Sequence, residues 1–288
     1  MRIVSILPNF KDENSINYRI NIGFINKLSN LCEYTGVKAY GKNGINHTAK
    51  ELYGKYEPDA MLLLAHSDVL DGYLRNIPCL KVMISVDFRK IIERKKYNWY
   101  KNNEFDLVIQ RGVYDTSIFN KNIGVPCVWV PYSADEKVFS PGKWKINKIG
   151  FAGTMSGFYV QRIKAIELLT KENLIDNGGR INGPNYITFL QNHIGMITST
   201  EDDSPYAKTF EITASGSMLL SSGFFNINTI LAKDSYVLYK KDCSDLVEKA
   251  RWIINNKDEC AEMSKKSYKN FLEKHTDDIR TKELYSHI

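Results

Sequence analysis

The chain has 288 residues, of which 43% are hydrophobic and 25% charged, and its 39 Lys and Arg against 33 Asp and Glu give a formal net charge of +6. These proportions exclude a disordered chain, a fibrous chain and a small disulfide-stabilised protein, and the length suffices for one large domain or two of ordinary size. The sequence has neither an apolar run of the roughly 20 residues that cross a bilayer nor a secretory signal at its start, and this predicts a cytoplasmic protein.

The first half of the chain alternates short β-rich runs with helical stretches. Residues 61–64 and 82–84 are apolar at every position, which is typical of parallel strands covered on both faces. Apolar residues recur at helical spacing over 15–31, and 91–101 is a basic segment of the kind found on a helix surface. The predicted strands of this half are 2–7, 36–40, 59–65, 80–86, 106–110 and 127–130.

A second β/α series follows a break at 131–148, which contains Pro131, Pro141 and Gly142 and is predicted to be a linker. The alternation in both halves predicts an α/β fold of two Rossmann-like domains facing a cleft, with ligands at the carboxyl ends of the strands. The predicted strands of the second half are 149–153, 180–183, 193–199, 217–221 and 235–239, and the predicted helices are 160–170, 206–215, 244–255 and 258–273.

The most informative stretch of the sequence is 203–220. A loop leads into a predicted helix in which Lys208 and Glu211, three residues apart, share one face, and Gly216 ends the helix before an apolar strand. A helix N-terminus and a lysine both favour a diphosphate, and a glutamate accepts two hydrogen bonds from a ribose diol. The other interpretation of Lys208 and Glu211 is an ordinary exposed ion pair, worth about 0.2–0.5 kcal/mol.

The order Lys-x-x-Glu-x-x-Ala-x-Gly before an apolar strand resembles the donor-binding segment of GT-B nucleotide-sugar glycosyltransferases, in particular the spore-maturation-protein-like group of the glycosyl transferases group 1. Related enzymes carry an E-x7-E motif, whose first glutamate contacts the donor sugar and whose second binds the nucleotide ribose. The resemblance implies the ribose role for Glu211. Asp203 stands eight residues upstream, in the place of the first glutamate, with a side chain one methylene shorter.

A second stretch that matches the same family is 149–154, followed by Arg162. It resembles the first strand of the family's C-terminal domain, its glycine loop and the arginine of the next helix. The resemblance implies that Gly153, Thr154 and Arg162 meet the donor phosphates. The loop after 180–184 is implied to contact the nucleotide base through backbone groups, and uracil is the commonest base in the family.

Two further segments, near the beginning and the end of the second half, also resemble the family. Residues 128–141 resemble the family's interdomain W-x-P-x-x-x-D-x-x-x-F-x-P segment, and 275–280 resemble its closing H-T-x-x-x-R. The first half matches the family only in its β/α pattern. The predicted division is an N-terminal Rossmann-like acceptor domain at 1–130, a linker at 131–148, a C-terminal nucleotide-sugar donor domain at 149–273 and a tail at 274–288 that returns to the N-terminal domain.

Two polar side chains follow apolar strands of the first half and mark the expected acceptor side. His66 follows the strand at 59–65, and Asp87 follows residue 86 at the end of the next strand along the chain, so both are expected at the sheet edge that faces the cleft. Asp87 would act as general base on an acceptor hydroxyl, and His66 would orient or deprotonate that hydroxyl. The alternatives are a helix cap for Asp87, a hydrogen-bonded loop histidine for His66, and a retaining reaction that needs no protein base.

Other chemistries find no support in the sequence. It contains no G-x-G-x-x-G, Walker loop, G-x-S-x-G elbow, H-E-x-x-H or kinase signature. Its five cysteines are odd in number, scattered and never spaced as C-x-x-C, so neither a disulfide framework nor a zinc knuckle is indicated.

The combined prediction is a glycosyltransferase that moves a sugar, expected to be a hexose, from a nucleoside-diphosphate sugar, expected to be UDP-linked, to a hydroxyl of a glycan, a small molecule or modified DNA. Neither a tightly bound cofactor nor a metal is expected, because the helix dipole and Lys208 offset the leaving diphosphate. One alternative is a glucosyltransferase acting on hydroxymethylated DNA bases, which the net charge and the basic run at 89–96 favour. Another is a non-catalytic nucleotide-sugar-binding or structural protein.

Overall fold

The structure is a computed structural model, and its described residues form two compact units. One unit comprises the described residues up to Pro131 together with Asp278–Ile288, and the other spans Tyr132–Asp277. The structure describes residues 1–8, 23–41, 44–65, 72–85, 97–112, 121, 124–156, 159–199 and 204–288.

The first unit is built on one sheet, whose strands are β1 (Arg2–Pro8), β2 (Glu33–Gly41), β3 (Gly44–Ile45), β4 (Ala60–Ala65), β5 (Leu80–Ser85), β6 (Leu107–Gln110) and β7 (Cys127–Trp129). Their order is β3-β2-β1-β4-β5-β6-β7, parallel throughout except for the antiparallel pair β2 and β3. Met61 and Leu62 point to opposite faces of β4, and both are fully buried. The sheet is therefore covered on both faces, as its continuous apolar runs predicted.

The helices of the first unit are short. They include α1 (Ala49–Tyr56) and α2 (Tyr97–Asn102), with a 3-10 turn at Lys27–Asn30. At the start of α1, Thr48 and Glu51 form a reciprocal capping box, since each side chain bonds the backbone N–H of the other residue.

The second unit is built on a parallel sheet in the order β12-β11-β10-β8-β9. Its strands are β8 (Ile146–Ala152), β9 (Ile175–Gly179), β10 (His193–Thr198), β11 (Met218–Ser221) and β12 (Val237–Leu238). Its helices include α3 (Val160–Lys171), α4 (Pro184–Asn192), α5 (Ala207–Ala214), α6 (Ile227–Ile230), α7 (Leu246–Asn255) and α8 (Lys257–Lys274). A last helix, α9 (Asp277–Tyr285), lies almost wholly in the first unit, where the Thr281 hydroxyl donates to the Phe24 carbonyl.

The predicted α/β class with two parallel sheets is confirmed, but one predicted strand is wrong. Residues 180–183 are not a strand; the edge strand is β9, which pairs with β8 through Ile149 and Ile175. The sequence of β9, Ile-Asp-Asn-Gly-Gly, has a single apolar residue, so its pattern does not mark a strand. Residues 15–22 of the predicted helix at 15–31, the whole basic segment at 89–96 and residues 91–96 of the segment at 91–101 lie outside the described residues.

Two further observations concern the described residues only. None of their helices combines the length and the apolar character that a membrane crossing requires. No disulfide joins the five cysteines, all of which are described; Cys243 and Cys260 are buried and the others are partly exposed.

Candidate functional site

The site begins where β8 ends at the carboxyl edge of the second sheet. The backbone N–H of Gly153 donates to the carbonyl of Gly179 at 2.7 Å, which fixes the first residue after the strand. A Cβ on Gly153 would lie 3.0 Å from the Lys208 ammonium and 3.0 Å from the Phe151 ring. A side chain at this position would require these neighbours to shift by a few tenths of an ångström, which glycine avoids.

Helix α5 carries Lys208 and Glu211 to this edge. Its residues from Thr209 to Ala214 are all buried, so the helix is part of the core and not a surface feature. The Lys208 ammonium donates to the carbonyl of Ala152, the last residue of β8. Glu211, one helical turn further on, is 5% exposed. The interpretation of these two residues as an ordinary exposed ion pair is therefore wrong.

The carboxylate of Glu211 is held by a tyrosine from a different element. Tyr186, on α4, donates its hydroxyl to Oε2 of Glu211, and its own exposure is 7%. Burial raises the pKa of Glu211 above its ordinary value, while the Tyr186 hydrogen bond and the positive charge of Lys208 act in the opposite direction.

Lys208 is partly buried between aromatic rings. Its ammonium lies 5.6 Å from the centroid of the Phe151 ring and 5.7 Å from that of Tyr186. Burial lowers the pKa of Lys208 to about 8; the charge of Glu211 opposes this shift and the charge of Arg162 adds to it. Lys208 is thus a cation whose charge is sensitive to pH near neutrality.

Arg162 adds a second cation next to the glycine loop. It lies in the first turn of α3, and its guanidinium donates to the carbonyl of Thr154 at 3.0 Å. The same guanidinium stacks over the Tyr159 ring at 3.8 Å from the centroid. The structure therefore brings together five of the predicted site residues: Gly153, Thr154, Arg162, Lys208 and Glu211.

The comparisons with known proteins address this half of the chain directly. Residues 152–286 match the model of the family described as "Glycosyl transferase-like". This segment of the chain is similar to the glycosyl transferase-like family. All five clustered residues lie within the matched segment, and the predicted resemblance is confirmed. A search of curated protein sequences finds no match.

Solved structures show a likeness that extends to the fold of the whole chain. A glycosyltransferase from Rickettsia africae aligns with a TM-score of 0.64 and 9% identity, over 99% of this chain and 97% of that one. Anabaena HepE, solved with UDP and glucose, aligns with a TM-score of 0.65 and 10% identity, over 100% of this chain and 99% of that one. An alpha-glucosyltransferase solved with UDP-glucose and DNA containing an abasic site aligns with a TM-score of 0.65 and 11% identity, over 100% of this chain and 99% of that one. The predicted GT-B fold is confirmed.

Three predicted site residues are not part of this cluster. His66 and Asp87, the acceptor-side candidates, and Asp203, the counterpart of the family's first glutamate, lie outside the described residues. Within the described part of the chain, no group of three or more His, Cys, Asp and Glu side chains is arranged to hold a metal ion.

Sequence reasoning missed Tyr186, because it missed the helix that carries it. Pro184 at the first helical position after Gly183 is a helix-start signal, and Tyr186 and Leu190, four residues apart, form its buried face. These signals suffice to predict α4. They do not predict that the tyrosine hydroxyl reaches a carboxylate 25 residues later in the chain.

Proposed function

We propose that the protein transfers a hexose from a UDP-linked donor to a hydroxyl acceptor. The observation that carries this proposal is the convergence of Lys208, Arg162 and the buried carboxylate of Glu211 beside the Gly153 loop. Burying ionisable groups lowers the free energy of unfolding. Such groups are typical of sites where a ligand uses their charges. UDP in the structure of Anabaena HepE, and UDP-glucose in that of the alpha-glucosyltransferase, support the choice of donor.

Each clustered residue has a role in this proposal. Glu211 accepts hydrogen bonds from the ribose hydroxyls, since an ionised carboxylate offers only acceptors. Lys208 and Arg162 neutralise the diphosphate, which approaches the backbone at Gly153 and Thr154.

The residues outside this cluster complete the proposed donor and acceptor sites. Asp203 contacts the donor sugar, and backbone groups after 180–184 contact the base. The acceptor side is assigned to Asp87 as general base and His66 as the residue that orients the hydroxyl.

The proposed reaction is a substitution at the anomeric carbon of the sugar. The acceptor oxygen forms a bond to that carbon while the bond to the diphosphate oxygen breaks, and the diphosphate leaves with the electron pair. Lys208 and Arg162 stabilise this departing negative charge. In an inverting reaction the proton of the acceptor hydroxyl passes to Asp87, whereas in a retaining reaction without a protein base it passes to an oxygen of the departing diphosphate.

The first experiment is a thermal-shift screen with UDP, GDP, ADP, TDP and their sugar conjugates. A ligand at 100 times its dissociation constant adds about 2.7 kcal/mol to the free energy of unfolding, so the correct donor gives a clear shift. Release of UDP from the selected UDP-sugar then separates an enzyme from a non-catalytic binding protein. A chain that responds to none of these ligands would contradict the proposal.

Glu211→Ala tests the assignment of the donor site itself. We expect it to weaken binding of the selected nucleotide by about 1.5–3 kcal/mol, because a charged hydrogen bond is lost. Glu259→Ala, on the exposed face of α8, is the matched control and is expected to bind like the wild type. Equal affinity of the two folded variants would overturn the role of Glu211.

DNA is the second candidate acceptor, and a specific finding favours it. The alpha-glucosyltransferase of similar fold was solved with UDP-glucose and DNA, and this chain carries a formal charge of +6. Transfer to a duplex containing 5-hydroxymethylcytosine, compared with the same duplex containing cytosine, tests this acceptor. Binding to the duplex should weaken steeply with salt, since phosphate contacts release counterions.

A further inference from the structure

Tyr186 and Glu211 form a buried contact between two helices of the second unit. The tyrosine hydroxyl donates to Oε2 of the carboxylate, and the two residues are 7% and 5% exposed. A hydrogen bond to an ionised group is stronger where water is excluded than at a surface. Burial and the nearby charge of Glu211 raise the pKa of Tyr186 well above 10, so its hydroxyl remains a donor over the whole neutral range.

The ring of Tyr186 is fixed independently of that hydrogen bond. Phe139 packs edge to face against it, with centroids 6.4 Å apart and an interplanar angle of 86°. The ammonium of Lys208, on α5, lies 5.7 Å from the centroid of the Tyr186 ring. The ring is therefore placed by packing, and the hydroxyl presents a preset donor to the carboxylate.

We propose that Tyr186 is a positioning residue for Glu211, which orients the carboxylate for the ribose of the donor nucleotide. This inference rests on the proposed function of Glu211. With Oε2 bonded to the tyrosine, the carboxylate is held in one orientation and its remaining lone pairs accept from the ribose hydroxyls. Without the tyrosine hydroxyl, the carboxylate loses both this orientation and part of the stabilisation of its charged form.

Tyr186→Phe tests the inference, because it removes the hydroxyl and keeps the packed ring. In calorimetric titration we expect the variant to bind UDP-glucose about tenfold more weakly than the wild type. This is the effect expected when one hydrogen bond to a charged group is lost. Tyr73→Phe is the matched control, since its hydroxyl donates to the backbone carbonyl of His47 in the first unit. The control should leave the affinity for UDP-glucose unchanged.

Two readouts separate positioning from a merely structural role. In a Glu211→Ala background, Tyr186→Phe should have no further effect on affinity, because the group through which it acts is gone. In the single variant, the loss of affinity on acidification should move to higher pH, because the hydrogen bond that lowers the pKa of Glu211 is missing while Lys208 still faces the carboxylate. An equal loss in both backgrounds, or an unmoved acid limb, would overturn the inference.

The outcomes also distinguish this inference from the proposed function. If the wild type binds UDP-glucose, Glu211→Ala weakens that binding and Tyr186→Phe equals the wild type, the inference fails alone. If Glu211→Ala binds UDP-glucose as tightly as the wild type, both fail, because Glu211 then has no role for Tyr186 to support.

Discussion

Lys208 and Glu211 are charged side chains placed where neither is well solvated. Burial lowers the pKa of Lys208 and raises the pKa of Glu211, so it favours the neutral form of both groups. The opposite charge of the partner reduces each shift. A bound diphosphate adds negative charge beside Lys208, and ribose hydroxyls add donors to Glu211, so both charged forms are stabilised by the ligand. Donor binding and protonation are therefore coupled at this pair.

The coupling predicts a bell-shaped dependence of UDP-glucose affinity on pH. As the pH rises through about 8, Lys208 in the free protein loses its proton and its charge, so affinity falls. As the pH falls through the raised pKa of Glu211, above the ordinary 4.5, the carboxylate gains a proton and affinity falls again. Calorimetric titrations measure the profile, and UDP-glucose is suitable because its diphosphate diester does not titrate in this range.

Lys208→Met is the control for the alkaline limb of that profile. The variant should bind UDP-glucose more weakly at pH 7 and should show no fall in affinity that is centred near 8. Lys265→Met, an exposed lysine on α8, should retain both limbs. An alkaline limb that persists in Lys208→Met would show that another group carries it.

Gly153 is predicted to be required for the position of the Lys208 ammonium. In Gly153→Ala the new Cβ would lie 3.0 Å from that nitrogen, and the flexible lysine must shift by a few tenths of an ångström to relieve the contact. We expect UDP-glucose affinity to fall by about 1 kcal/mol while the free energy of unfolding changes by less.

The matched control for this substitution is Gly54→Ala in α1. Its Cβ would meet nothing within 4 Å, and a helical alanine should stabilise the first unit by about 0.5–1 kcal/mol. Its affinity for UDP-glucose should equal that of the wild type. A Gly153→Ala variant with unchanged affinity would contradict the close approach seen at this loop.

At the scale of the site residues, prediction from sequence had a definite limit. The spacing of Lys208, Glu211 and Gly216 is local, so a motif identifies them, and the structure places the Lys208 ammonium beside Gly153. The contact with Tyr186 depends on how two helices pack, and no spacing in one sequence encodes it. The roles of His66, Asp87 and Asp203 stay predictions.

At the scale of elements, the sequence predicted best where burial is continuous. Strand β4 is apolar along its length because both faces of the sheet are covered, and its pattern was unambiguous. Strand β9 lies at a sheet edge and includes Gly178 and Gly179, so the pairing with β8 and not the residue pattern makes it a strand. Helix α4 was missed because its Pro184 follows a glycine and reads first as a turn.

Strand β8 contains a glycine that the packing of neighbouring side chains requires. A Cβ on Gly150 would lie 2.5 Å from the sulfur of Met196 and 2.9 Å from Cγ of His193. The histidine ring cannot give way easily, because its two nitrogens lie 2.7 Å from the Phe189 carbonyl and 3.0 Å from the Asp176 carboxylate.

Gly150→Ala should therefore destabilise the second unit. We expect the free energy of unfolding in urea to fall by about 1–3 kcal/mol, the range for an overpacked core. UDP-glucose affinity of the folded variant should fall too, since β8 supports the Gly153 loop. Gly54→Ala again serves as the comparison, and a Gly150→Ala variant as stable as the wild type would contradict the packing described around β8.

At the scale of the whole molecule, the described residues bury two separate apolar cores. One includes Met61, Met83 and Val108 of the first sheet, and the other includes Ile149 and Leu220 of the second. Every residue of the proposed donor cluster belongs to the second unit. A donor that binds this cluster raises the unfolding free energy of the second unit. The first unit is stabilised only to the extent that its unfolding requires the second unit to unfold.

Hydrogen exchange measured with and without UDP-glucose tests this division. At 100 times the dissociation constant, the ligand adds about 2.7 kcal/mol to the unfolding free energy of the unit that binds it, which slows amide exchange through that unfolding about 100-fold. We expect this slowing for the amides of β8 and β10 and a smaller one for β4 and β5. Equal slowing in all four strands would contradict independent opening, because it requires both cores to unfold in one cooperative step.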